Sequence, residues 1–419
     1  VVAVVAVGAA ASLLAAQGCK REEAKPAAPG AAAPALATDR GVDLERKVVR
    51  VGLLNDESGP GAAIGRPYAL GKRILFQRVN AGELKLLPEG WRIEAVEKDH
   101  AYNPQQAVQH YGSMKDEVLF VAHSFGTPNT LPLRDMLTRD GVVAFPASLS
   151  SLMAEHELTP PLGPSYALEA MRAVEFAVQQ AGGAGKVKLA VVYQQDDYGK
   201  DGVAGVRRAA GKAGAEVVAE VAVAPGQKDY TATMTALQQK GATHVVLATL
   251  PSATGPVLGT SAQLQFRPVF IGITPAWVDA FFSEKVLPPA VLANFYWSSG
   301  MPYWGEEAPG MKDFLAAWEK YKPAGAQPDA YVLMSYAQGV VELEALRRAI
   351  ERKDVTRKGF LAALHSIDAW DGGGMMQPMS LAKVPYVTST RTRVLKPNLA
   401  SRTWETAAPF AQPVAMDVP

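Results

Sequence analysis

The chain predicts an α/β fold of two doubly wound parallel-sheet lobes, on three observations. From Val48 onward, short β-branched runs alternate with amphipathic helical segments. The runs are apolar almost without interruption, as strands covered on both faces of a parallel sheet must be. The alternation also occurs twice, in two series separated by the break Pro160-Pro161-Leu162-Gly163-Pro164, which points to two lobes.

In the first series Val48–Leu54 reads as a buried strand and Tyr68–Val79 as a helix. Ile93–Val96 is a strand, Pro104–Met114 a helix, Val118–Val121 a strand, Leu131–Leu137 a helix and Val142–Phe145 a strand. The second series opens with a helix over Leu168–Gln180 and a strand over Lys188–Val192. Val203–Lys212 and Val217–Val221 repeat the pair; Thr231–Gln239 then precedes Val245–Ala248, and Val269–Ile273 follows another helical segment. Asn294–Ser299 reads as a further strand, after which helices dominate over Met311–Tyr321, Ala330–Ile350 and Gly359–Leu364. These are too many helices for the second lobe alone, so the chain is expected to return to the first. The tail from Pro378 reads as extended and turn-rich, with Tyr386-Val387 and Arg393–Leu395 as short strands. The expected organisation is lobe 1 over 47–163 with 299–375 returning to it, lobe 2 over 164–298 with part of 376–405 returning to it, and a tail over 406–419.

Composition narrows the function. Forty-two Lys and Arg against 41 Asp and Glu give a net charge of +1 without a basic block, which argues against nucleic acid as partner. The folded part, expected from about Arg46–Val48, contains no cysteine and hence no disulfide; a body of this size buries its own core without one. The six histidines (His100, His110, His123, His156, His244, His365) lack ligand or triad spacing, and no Gly-x-Ser-x-Gly, His-Glu-x-x-His or paired-cysteine motif occurs. Neither a catalytic group nor a cofactor or metal is therefore expected. The glycines of Ser58-Gly59-Pro60-Gly61-Ala62-Ala63-Ile64-Gly65 join the first strand to the first helix. Asn55-Asp56-Glu57-Ser58 intervenes, however, and no Gly-Lys-Ser/Thr follows, so the loop suits a small ligand other than a nucleotide.

The only cysteine, Cys19, ends the uncharged apolar run Val1–Ala16 and precedes Lys20-Arg21-Glu22-Glu23. As a helix that run spans roughly 24 Å, short of the ~30 Å hydrocarbon core of a membrane. It reads as a signal peptide over 1–18, and its Val1 start without Met or basic flank leads us to expect the natural start upstream. Cys19 at the cleavage point resembles the lipobox of bacterial lipoproteins, departing from it in Ala16 where Leu is usual; the resemblance implies a lipid on the Cys19 thiol. The Ala/Pro/Gly-rich stretch after it, within 19–46, has no apolar face to bury and reads as a tether of roughly 25–30 Å.

A second resemblance covers about Val48 to Ala369. Val51-Gly52-Leu53-Leu54, Ser58-Gly59-Pro60, Gly65, Gly71 and Asn80-Ala81 are similar to the opening of type I periplasmic solute-binding proteins of ABC transporters, the leucine/isoleucine/valine-binding branch above all. Lys98-Asp99 with Asn103-Pro104-Gln105-Gln106-Ala107 resembles that family's Asp…Asp-Pro-x-x-Ala segment. Ala122-His123-Ser124-Phe125-Gly126-Thr127 looks like its Ser/Thr-rich loop, Phe145-Pro146-Ala147-Ser148 like its Pro-Ala turn, Gln194–Gly199 like its Asp-x-x-Tyr-Gly and Asp229-Tyr230 like its Lys-Asp-aromatic signal. The resemblance implies two lobes joined by a three-strand hinge that closes on a ligand, at the carboxyl ends of the strands where these loops lie. Ser58, Ser124, Phe125, Thr127, Ala147 and Ser148 are then ligand-binding candidates from the first lobe, and Tyr198 the aromatic cover from the second.

One departure bears on the ligand. Amino-acid binders of this family hold the ammonium with an acid at the position matching Thr274, and a neutral threonine cannot compensate the desolvation of a buried ammonium. Leu250 replaces the family's tyrosine, and with Trp277 and Trp297 makes this edge more apolar and aromatic. A carboxylate- or amide-bearing aromatic or aliphatic molecule stands beside a branched-chain amino acid as the expected ligand. The expected function is the membrane-anchored, extracytoplasmic component of an ABC importer, handing its ligand to a permease. A sensor module of the same fold, or a periplasmic enzyme on the same frame using His123 or Asp197, remains as an alternative.

Overall fold

The computed structural model describes residues 35–416, which from Leu36 onward form one compact unit. The expected signal peptide, Cys19 and most of the tether lie outside the described residues.

The first sheet is built on β1 (Val48–Asn55), which pairs in parallel with β2 (Arg92–Asp99) on one side and β3 (Phe120–Phe125) on the other, with β4 (Ala144–Ala147) beyond β3. A two-residue strand, Val42–Asp43, caps the start of β1 antiparallel. The second sheet has seven strands: β5 (Lys188–Gln194), β6 (Glu216–Val223), β7 (His244–Ala248), β8 (Val269–Ile273), β9 (Phe295–Ser299), β10 (Thr392–Asn398) and β11 (Thr403–Ala411), in the spatial order β11-β10-β9-β8-β7-β5-β6. The five strands from β6 to β9 run parallel; β10 and β11 are antiparallel additions. Each sheet has its own apolar cluster, and the central strands are buried along nearly their whole length, as helices on both faces require.

Helix α1 (Ala62–Asn80) covers the first sheet and α2 (Pro104–Met114) follows β2; α3 (Tyr166–Ala181), α4 (Asp197–Ala213) and α5 (Pro251–Gln263) belong to the second series. Local sequence starts these helices: Asn103 accepts from Gln105 and Gln106 N–H, Ser165 from Leu168 and Asp196 from Gly199, each satisfying donors the first turn leaves open. The chain passes between the sheets three times, after β4, after β9 and between α8 (Arg357–Leu364) and β10. In between, α6 (Met311–Tyr321), α7 (Ala330–Glu351) and α8 contribute to the core around the first sheet. Helix α7 serves both cores: Val332 and Leu333 join the first, Ala330, Tyr331 and Met334 the second.

Three expectations are corrected. The folded unit begins near Leu36, ahead of Arg46, because Ala37–Thr38 pairs with Asp354–Val355 and Gly41 packs on the backbone of Val118 and Leu119. Residues 406–411, expected as tail, belong to β11, an edge strand whose Pro409 masks its pattern. The expected helix over Leu131–Leu137 is broken into Thr127–Thr130, a 3-10 turn at Leu131–Leu133 and Arg134–Asp140.

Candidate functional site

Between the sheets, at the carboxyl ends of their strands, lies a cleft that encloses about 560 Å³ of space, its open mouth included. The loop after β3 reaches it first. Gly126 takes φ +87°, and a side chain there would strike Tyr102 and Asn129; the turn it permits brings Thr127 beside Ser148 of the loop after β4. Their hydroxyls bond at 2.6 Å. One donates to the other, so one proton is left to turn toward a ligand oxygen. Phe125 and Ala147 form the wall behind them.

Aromatic rings make the rest of the enclosure. On the first lobe Tyr68 and Tyr102 pack edge-on to Phe125, at 6.4 and 6.3 Å between ring centres. On the second, Tyr166 and Tyr198 meet edge-to-face at 4.8 Å, and Tyr331 enters from the start of α7. Three of these phenols are spent as donors within the protein: Tyr68 to Gln338 Oε1, Tyr198 to the Thr249 carbonyl at 3.1 Å and Tyr331 to the Thr274 carbonyl at 2.7 Å. Burial holds all three well above the ordinary phenol range, so they stay neutral. What they offer a ligand is ring surface and hydroxyl lone pairs.

Among the described residues, no Asp, Glu, Lys, Arg or His lines the cleft. Thr274, which does, has its polar atoms already engaged: its N–H donates to Glu169 Oε2 at 2.7 Å, and its hydroxyl meets Glu169 Oε1 at 2.5 Å and Ser299 Oγ at 2.7 Å. Glu169 is fully buried behind it and does not line the cleft. Burial pushes its carboxyl up to about 8, against the opposing pull of the Thr274 and Gly300 N–H groups. Burial thus favours the uncharged form of an acid whose oxygens hold the Thr274 loop in place.

Of the residues singled out from sequence, Phe125, Thr127, Ala147, Ser148, Tyr198, Leu250 and Thr274 line this one cleft. Three stand elsewhere. Ser58 donates its hydroxyl to Asp99 Oδ2 at 2.7 Å. The Ser124 hydroxyl meets Thr130 at 2.8 Å inside the first lobe. Trp277 is buried in the core of the second lobe, 4.5 Å from Trp404 between ring centres, and Trp297 lies in that core too, its indole N–H on the Thr274 carbonyl. Sequence reading missed Tyr68, Tyr102, Tyr166, Tyr331 and Gln338; in a helix the cleft-facing and core-facing residues share one periodicity. His123 is buried against Tyr68, with both ring nitrogens unpartnered and burial keeping it neutral; it does not reach the cleft.

Comparison with known proteins fits this geometry. Residues 48–384 match the family model described as periplasmic binding protein. An amino acid binding protein of Pseudomonas aeruginosa is 24% identical over 301 residues, covering 69% of this chain and 75% of the relative. Among solved structures, a fatty acid ABC transporter substrate-binding protein from Thermomonospora curvata superposes with a TM-score of 0.83 at 23% identity, over 91% of this chain and 96% of its own. A branched chain amino acid ABC transporter structure from Thermus thermophilus with bound valine gives 0.79 at 18%, over 88% and 97%. At these identities the structural likeness speaks for the fold. The relatives are binding proteins, not enzymes.

Proposed function

Because the chain belongs to the periplasmic binding protein family, we propose that it is the extracytoplasmic solute-binding component of an ABC importer, held at the membrane through a lipid on Cys19. In this reading the two lobes close on a small aromatic or aliphatic molecule that carries a carboxylate or amide and no free ammonium, and the closed form delivers it to a permease. The observation that carries the ligand class is the absence, among the described residues, of any acidic or basic side chain from the cleft lining. A buried ammonium needs a partner charge, and the one acid near the family's position, Glu169, is neutral and turned to Thr274. A carboxylate or amide oxygen needs donors, which the Thr127–Ser148 pair supplies, and a ring or chain needs apolar surface, which the tyrosines supply.

The names of the relatives favour a second reading, an amino acid ligand, while the Thermomonospora neighbour is named for a ligand class without an ammonium. Thermal unfolding against a panel separates them: leucine and valine, benzoate and its hydroxy derivatives, medium-chain fatty acids, and the matching amides. A ligand at ~1,000 times its Kd adds about 4 kcal/mol, a shift of several degrees. We expect the shift from carboxylates or amides lacking an ammonium. A shift from leucine or valine alone overturns the ligand class proposed.

A further inference from the structure

We propose that Tyr102 is the closure latch of the cleft, a ring that lobe 1 holds in advance over the ligand and that lobe 2 catches by its hydroxyl. The inference rests on the two-lobe closing reading above and adds the residue that fastens it. Tyr102 follows β2 on the first lobe. Its hydroxyl donates to Asp196 Oδ2 at 3.2 Å and accepts from Gln194 Nε2 at 3.0 Å, both on the second lobe; Gln194 also bonds Asp196. The ring meanwhile lines the cleft and packs on Phe125. One side chain thus touches the ligand space, its own lobe and the opposite lobe.

Two features mark this as a prepared part. Ala101 and Tyr102 both take positive φ, +49° and +61°, a conformation unfavourable for a bulky residue and kept only where the surroundings over-determine it. They do so here: Ala101 N–H donates to Asp99 Oδ1 at 2.9 Å, Tyr102 N–H to His100 Nδ1 at 3.1 Å and His100 N–H to the Asn55 carbonyl at 2.8 Å. All these partners belong to lobe 1, so the ring is placed without help from lobe 2. The catch is equally local to lobe 2: Asp196 caps α4, with Gly199 N–H at 3.0 Å, so its carboxylate is fixed before Tyr102 arrives. Two pre-set halves meeting at one hydroxyl lose little freedom on contact, which is what favours a closed state.

Hydrogen exchange on the purified full chain tests this without needing a ligand. Tyr102→Phe removes only the hydroxyl. We expect the amides of 101–103 on one lobe and 195–199 on the other to lose about tenfold protection together, the worth of one good hydrogen bond. Gln194→Met, made on the opposite lobe, should loosen the same two segments, and the double variant should add little to either. A residue that merely supports its own loop leaves 195–199 unmoved. Exchange rising at 101–103 alone, or nowhere, overturns the latch. The ligand panel on the same samples keeps the two proposals apart: a wild type answering no ligand, with both segments loosened in Tyr102→Phe, retains the latch and removes the ligand reading.

Discussion

The inside of the cleft and the shell around it handle charge in opposite ways. Among the described residues no acidic or basic side chain lines the cleft, yet acids stand behind it: Glu169 and Asp201 are buried, and Asp196, Asp279 and Asp329 are half-buried. Each shell acid accepts backbone or side-chain hydrogen bonds. Asp201 takes Ser151 N–H at 3.0 Å and Ala167 N–H at 3.2 Å, at the first passage between the sheets. Asp279, on the second lobe, accepts from Ala330 N–H at 2.8 Å at the head of α7 and donates its own N–H to Asp329 at 3.4 Å. The contrast separates two tasks. Neutral dipoles and rings face the cleft, while carboxyls fasten loops around it.

The largest test of that separation is at Glu169. Glu169→Ala strands the Thr274 and Gly300 N–H groups in a buried site and leaves the Thr274 hydroxyl only Ser299, and should cost about 3–5 kcal/mol by urea unfolding. Glu169→Gln should cost about 1 kcal/mol or less at neutral pH, because the acid it replaces is already uncharged. If the two variants cost the same, Glu169 is ionised, a charge sits one residue from the ligand, and the contrast collapses.

A smaller effect follows from pH. Burial raises Glu169 from the ordinary 4.5 to about 8 and raises Asp279 above the ordinary 3.8; Asp329 is raised as well, by burial and then by Asp279. A carboxyl raised on folding adds stability that is complete below its unfolded pKa and is lost as pH climbs through its folded one. Asp279 is faced by the Trp277 indole N–H, Asp329 and Tyr331, none of them a cation that would reverse the sign. Tm should therefore fall by a few degrees from about pH 5 to about pH 9. Asp279→Asn should flatten the lower part of that fall and Glu169→Gln the upper part. Slopes unchanged in both variants would place these acids in water.

How much of this was legible in the sequence follows from what each residue's neighbours are. Parallel strands buried on both faces announce themselves as apolar runs, and Thr127 and Tyr198 open helical turns just past strand ends while Ser148 sits in a loop there, where a ligand is expected. Trp277 misled because its partner was hidden: Trp404 lies on β11, whose alternation is blurred by Pro409, so a tryptophan beside Thr274 read as cleft wall when it is core. Tyr68, Tyr166 and Tyr331 were not legible as cleft residues because only the placing of one lobe against the other decides which face of their helices meets the ligand. Tyr102 left a faint signal, an aromatic between the end of a strand and the Asn103 cap.

The finest test asks whether the Thr127–Ser148 pair serves the fold or the ligand. Each hydroxyl satisfies the other at 2.6 Å, and Ser148 Oγ also takes a long bond from Ser150 N–H at 3.4 Å. Removing one partner leaves the other buried and unpaired, so Ser148→Ala and Thr127→Val should each lose about 0.5–1.5 kcal/mol of stability. Removing both deletes the unpaired group as well, so the double variant should lose less than the sum. Affinity for the panel carboxylate giving the largest melting shift should behave otherwise. Either single variant still leaves one hydroxyl proton for the ligand oxygen and the double leaves none, so affinity should fall chiefly in the double variant, by about tenfold. Stability that recovers while affinity does not is the signature of groups turned into the cleft. Affinity that recovers alongside stability would make the pair an internal strut and leave the carboxylate without donors on the first lobe.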